Sequence, residues 1–162
     1  MDTRSKILSL DPLALKLREH KNRGERIVFA NGCFDVLHVG HARYLGGARR
    51  EGDVLVVAVN SDASVRALKG EGRPILPAEA RARLVAGLAA VTYVVIFEEP
   101  DVTRLLSTLR PDVHAKGTDY TIDTVPERET ARRLGVRIAI VGDPKQHSTR
   151  GLLARLRSLP HA

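Results

Sequence analysis

Short apolar runs recur along the chain, separated by stretches in which apolar residues return every third or fourth position. The run Ile27-Val28-Phe29-Ala30 predicts a strand at about 26–31. Val54-Leu55-Val56-Val57-Ala58-Val59 predicts a second, apolar on both faces as a doubly covered parallel strand must be. Further strands are expected at 91–97, 112–116 and 136–141. Between them lie helical patterns. Leu13, Leu15 and Leu17 after Asp11-Pro12 predict an N-terminal helix over about 11–22, ended near Asn22-Arg23-Gly24. A helix from about 42 to 51 stops at Gly52-Asp53, and another opens at Asn60-Ser61-Asp62 with Ser61 or Asp62 as its cap. Helices follow at 77–90, with Leu84, Val85 and Leu88 inward, at 99–110 before Pro111, at 126–134 before Gly135, and at 148–158. Strand–helix alternation predicts an α/β fold: a Rossmann-like, doubly wound, five-stranded parallel sheet in a single domain, 1–162, with a sheet core over 26–158.

Composition narrows the class of protein. With 43% hydrophobic and 28% charged residues the chain reads as soluble and globular. No apolar run approaches the ~20 residues that cross a bilayer, and Met1-Asp2-Thr3-Arg4-Ser5-Lys6 lacks the apolar core of a secretion signal. The single cysteine, Cys33, excludes an intrachain disulfide and a cysteine-rich zinc site. A cytoplasmic protein with no membrane partner is expected. The net charge of +7 suits either nucleic acid or polyanionic small molecules. The basic residues are mostly arginines spread along the chain, and three Phe, three Tyr and no Trp leave few stacking platforms. Phosphorylated small molecules are therefore expected, and nucleic acid is not.

Chemistry concentrates where the first strand ends. Asn31-Gly32-Cys33-Phe34-Asp35-Val36-Leu37-His38-Val39-Gly40-His41 leads from that strand into a helix, so His38 and His41 fall at a helix start around Gly40. A helix N-terminus attracts anions, phosphate above all, and Gly40 lets a ligand approach the backbone. The plainer alternative makes one histidine a cap and buries the other; the pairing at this spacing, at the carboxyl end of a strand where such sheets bind ligands, favours function. Lys69 and Arg73 flank a glycine-containing loop and serve either as surface charge or as phosphate donors. Arg81 reaches phosphates or pairs with Glu79. Lys116 and Gly117 close a strand and suit an anion, the alternative being a turn capped by Asp119. The irregular stretch 117–125 is an expected substrate loop. Ser148 or Thr149 caps the last helix and can also hold phosphate. Asp35 shapes its loop, contacts nucleotide or helps hold Mg²⁺, no other direct protein ligand to a metal being expected. Cys33 reads as a small packing residue.

The segment from Gly32 to His41 resembles the signature of the HxGH nucleotidyltransferases. The likeness continues through Val59-Asn60-Ser61-Asp62, Leu68-Lys69-Gly70, Gly72-Arg73-Pro74-Ile75, Pro77-Ala78-Glu79-Ala80-Arg81, Lys116-Gly117-Thr118-Asp119-Tyr120 and His147-Ser148-Thr149. Within that superfamily the chain is most similar to the heptose 1-phosphate adenylyltransferase branch. The resemblance implies that a sugar 1-phosphate attacks the α-phosphate of ATP with Mg²⁺ present, giving ADP-heptose and pyrophosphate. It implies His38, His41 and Lys69 as catalytic residues. Asn31, Gly32, Cys33, Phe34, Asp35, Gly40, Lys116, Gly117, Ser148 and Thr149 would bind nucleotide, and Arg73, Arg81, Asp119, Tyr120 and Arg150 the phosphorylated substrate. A homodimer is implied as well. The alternative is a cytidylyltransferase or FAD synthetase using another acceptor such as glycerol 3-phosphate. Two positions depart from the branch: His114 stands where an aliphatic residue is usual, and Arg150 where a second threonine is common.

Overall fold

The computed structural model describes residues 2–144 and 148–159. The apolar runs form β1 (Ile27–Gly32), β2 (Val54–Asn60), β3 (Tyr93–Phe97), β4 (Val113–Gly117) and β5 (Arg137–Val141). They make one parallel sheet in the order β3-β2-β1-β4-β5. The helices are α1 (Leu10–Asn22), α2 (Val39–Arg49), α3 (Asp62–Lys69), α4 (Ala78–Ala86), α5 (Thr103–Leu109), α6 (Arg128–Leu134) and α7 (Thr149–Arg157). The doubly wound α/β expectation is met. An unforeseen 3-10 turn over Thr3–Lys6 leads to a parallel bridge between Ile7 and Val94 at the sheet edge.

Alternation along β1 sends Val28 and Ala30 into one core, with Leu45 and Ala48 of α2 and Ala82, Val85 and Ala86 of α4. Ile27 and Phe29 enter the other, with Leu13 and Leu17 of α1 and Leu105 and Leu106 of α5. Both faces of β2 are buried, which accounts for its apolar run Val54–Val59; Asn60, which ends the strand, is buried as well. A Cβ on Gly47 would lie 3.0 Å from the Gly142 nitrogen, so this glycine lets α2 lie close over the end of β5.

Three local expectations are corrected. α2 starts at Val39 because His38 is its N-cap. α5 starts at Thr103, whose N–H bonds the Asp101 carboxylate after Pro100. In α4 Leu84 points outward, 47% exposed, while Arg81 turns inward with Ala82 and Val85. Sequence order moves outward from β1 through β2 to β3, then returns to β4 on the opposite side of β1. The carboxyl ends of β1 and β4 therefore border the crevice where open α/β sheets take ligands.

Candidate active site

His38 and His41 stand at the start of α2 with their rings stacked, centroids 3.9 Å apart and planes 23° from parallel. Each ring uses Nδ1 to accept a backbone N–H: His38 from Gly40 at 3.1 Å, His41 from His38 at 3.4 Å. An amide only donates, so each Nδ1 is a lone-pair acceptor and each neutral ring carries its proton on Nε2. The plainer role, capping, is thus real, and it sets the tautomer that supplies an imidazole N–H donor. The expectation of open helix amides at this N-terminus is corrected accordingly: the Gly40 N–H is taken by His38. Phe34 packs against His41 and Tyr44. Tyr44, one turn after His41, donates to the Ala115 carbonyl at 2.8 Å and so anchors the helix to β4.

Asp35 is 2% exposed and lies between two residues with left-handed backbone, Phe34 (φ 48) and Val36 (φ 61). Its carboxylate accepts from Arg73 Nε at 2.7 Å, the Ile75 N–H at 2.9 Å and the Leu76 N–H at 3.0 Å. Its carbonyl accepts from Thr149 Oγ1 at 2.8 Å. One residue thereby joins the β1–α2 loop, the loop before α4 and the start of α7. Of the three roles expected for Asp35 the geometry fits loop shaping. Both oxygens are engaged in holding protein groups, which leaves the nucleotide and metal roles without support.

Burial alone would push the Asp35 carboxyl up; the Ile75 and Leu76 amides and the Arg73 guanidinium outweigh it and hold the group below the usual carboxylate range. A folded value below the unfolded one of about 3.9 gives stability that is present above that pH and lost as pH falls through the folded value. Asp35→Asn should therefore be less stable than wild type at pH 7 by roughly 2 kcal/mol, the worth of a charge-assisted contact, and melt earlier. The gap should close under acid. Parallel melting curves from pH 7 to pH 2 check this; a gap independent of pH contradicts it.

Arg81 is fully buried, which corrects its expected contact with substrate phosphate and its alternative pairing with Glu79. Nε donates to the Leu76 carbonyl at 2.9 Å, Nη1 to the Cys33 carbonyl at 2.6 Å and Nη2 to Asp62 Oδ1 at 2.8 Å. It fastens α4 to the loop after β1. Arg73, held by Asp35, is half-buried, and Lys69 ends α3 exposed. Burial pushes the Cys33 thiol up, against the pull of the Lys69, Arg81 and Arg73 charges around it. Cys33 is therefore a thiol that packs, not a thiolate.

On the β4 side Lys116 is 5% exposed. Its Nζ lies 3.4 Å from Asn31 Oδ1, 3.4 Å from Glu127 Oε2 and 4.7 Å from the Tyr120 ring centre. Glu127, at the start of α6, is a partner that reading the residues missed; an acid beside a helix start gives no sign that it is buried. A Cβ on Gly117 would stand 3.1 Å from Asp119 Oδ1, which accounts for that glycine. Gly32 lies under Phe34, whose ring atom would be 3.1 Å from an added Cβ. Ser148 caps α7 by accepting the Gly151 N–H at 3.0 Å, and Arg150 is exposed. His147 lies outside the described residues. No group of three or more His, Cys, Asp or Glu among the described residues is placed to hold a metal. No helix among them is long and apolar enough to cross a membrane.

Residues 29–150 match the cytidylyltransferase-like family model. The bifunctional protein HldE of Geotalea uraniireducens is 46% identical over 157 residues, 97% of this chain and 32% of that protein. HldE of Azotobacter vinelandii is 46% identical over 154 residues, 95% of this chain and 32% of that protein. The chain thus spans about a third of the length of the curated relatives it matches, 32% in both cases. The crystal structure of the lipopolysaccharide core biosynthesis protein from Thermoplasma volcanium GSS1 superposes with a TM-score of 0.65 at 28% identity, covering 75% of this chain and all of that one.

Proposed function

The chain belongs to the cytidylyltransferase-like family, and we propose that it is a nucleotidyltransferase joining a sugar 1-phosphate, heptose 1-phosphate in particular, to the α-phosphate of ATP. ADP-heptose and pyrophosphate are the products. The observation that carries this reading is the stacked histidine pair. Two imidazoles held at Nδ1 by backbone amides present Nε2–H donors in fixed orientation at the start of α2, beside the crevice of a parallel sheet. Such fixed donors suit charge that builds on a phosphoryl group in the transition state. The HldE matches, across nearly the whole chain, support the heptose assignment.

The attacking sugar phosphate is already anionic near neutral pH, so the reaction needs no strong base. What the protein supplies is alignment of the attacking oxygen, the α-phosphorus and the leaving pyrophosphate, with donors for the charge that shifts between them. His38 and His41 are the donors. Lys69 adds positive charge from the exposed end of α3, and Arg150 from the start of α7. The Asp35 and Arg81 clamps hold the loops on which this geometry depends. Mg²⁺ fits no direct protein site among the described residues; we propose that it arrives bound to the phosphates of ATP. A homodimer and a cytoplasmic setting belong to the same proposal.

Pyrophosphate release across ATP and CTP, each with heptose 1-phosphate or glycerol 3-phosphate, tests the reading. ATP with heptose 1-phosphate is expected to be the productive pair. Release with CTP and glycerol 3-phosphate alone would move the chain to the cytidylyltransferase branch.

A further inference from the structure

His114 is fully buried on β4, opposite Phe29 of β1, and its Nδ1 is the one buried side-chain polar atom among the described residues without a hydrogen-bond partner. Its other nitrogen, Nε2, lies 3.0 Å from Asn31 Oδ1, the atom that Lys116 Nζ also approaches. An ammonium only donates, so the shared Asn31 atom is the carbonyl oxygen, and His114 must offer it Nε2–H. That proton assignment leaves Nδ1 as a bare lone pair in the core, at a cost that an aliphatic side chain would avoid. Burial pushes His114 down to about 3, with the Lys116 charge adding to the effect, so the ring stays neutral and the arrangement holds at working pH.

The consequence lies at the other end of the Asn31 amide. With Oδ1 held inward by two donors, the carboxamide cannot flip, and Nδ2 faces outward at the carboxyl end of β1. No group among the described residues bonds Nδ2, and Asn31 itself is only half-buried. The position is the β1/β4 crevice.

We propose that His114 is a positioning residue that locks the Asn31 carboxamide with its N–H groups outward, to take an anionic phosphoryl oxygen of a substrate. The inference rests on the nucleotidyltransferase reading for the identity of that ligand, which is either ATP or the sugar 1-phosphate. A merely structural His114 would make His114→Leu neutral for binding. A positioning His114 separates stability from affinity.

The test is equilibrium titration of the full chain with ATP and, separately, with heptose 1-phosphate, alongside thermal melting. His114→Leu should melt no earlier than wild type, because the orphaned Nδ1 is gone, yet bind one of the two ligands about fivefold to tenfold more weakly. The ligand that weakens identifies the source of the phosphoryl oxygen. Asn31→Ala should lose at least as much affinity for that ligand, and adding His114→Leu to it should cost nothing further. His114→Gln, which keeps an N–H donor, should recover part of the loss. Wild-type affinity for both ligands in His114→Leu overturns the inference, as does a loss that persists in the Asn31→Ala background. A wild-type protein that binds neither ligand overturns the nucleotidyltransferase reading first, and this inference with it.

Discussion

Purified His41→Ala protein is expected to lose turnover by at least about a hundredfold while keeping its fold. Removing one preorganised donor from a developing oxyanion costs on this order, and His41 offers Nε2–H because its Nδ1 accepts the His38 N–H. The same substitution removes a cap, a loss of about 1 kcal/mol, so a melting shift alone proves nothing about catalysis. Asparagine separates the two roles. At position 38 it ranks among the best helix caps, yet it has no atom where the imidazole Nε2 stood. His38→Asn should therefore melt at or above the wild-type temperature and still lose turnover by a similar factor. Steady-state rates and melting curves on His41→Ala and His38→Asn, measured together, decide the matter. An active, stable His38→Asn protein would reduce the pair to a capping device.

Arg81→Ala is the largest expected loss of stability. The side chain is fully buried and uses three nitrogens on three acceptors from different segments: the Leu76 and Cys33 carbonyls and Asp62. Truncation leaves two carbonyls unsatisfied, at ~1–3 kcal/mol each, and a void. The ion pair contributes less, because the Asp62 side chain is 42% exposed. About 4 kcal/mol in all would lower the melting temperature by roughly 10 °C in a domain of this size. Arg81→Lys should recover little, since one ammonium cannot replace the planar fork that spans these acceptors. Thermal melting of both variants checks this. A shift below about 2 °C for Arg81→Ala would contradict the clamp.

The parts of this molecule that follow a period were legible in the residues; the parts fixed by distant partners were not. β1 and β2 stand where their apolar runs place them because burial on both faces leaves no other use for such runs. The histidine loop was legible because strand, glycine and helix follow one another within a few residues. Arg81 and Leu84 were misplaced together: hydrophobicity favours leucine inward, and nothing local shows that Cys33 and Asp62 wait for a guanidinium across the fold. Asp35 looked like a ligand because an acid beside a phosphate site invites that reading. Its partners, Arg73, Ile75 and Leu76, come some forty residues later. Lys116 presented the same difficulty, its charge being shared with Glu127 and Asn31.

ATP labelled at the α-phosphate or at the γ-phosphate, incubated with heptose 1-phosphate and the wild-type protein, tests the central claim most directly. Nucleotidyl transfer puts the α-label into a sugar nucleotide and the γ-label into pyrophosphate, both at rates that fall together in His41→Ala. A γ-label found on the sugar, or an α-label that never leaves ATP, would contradict the account.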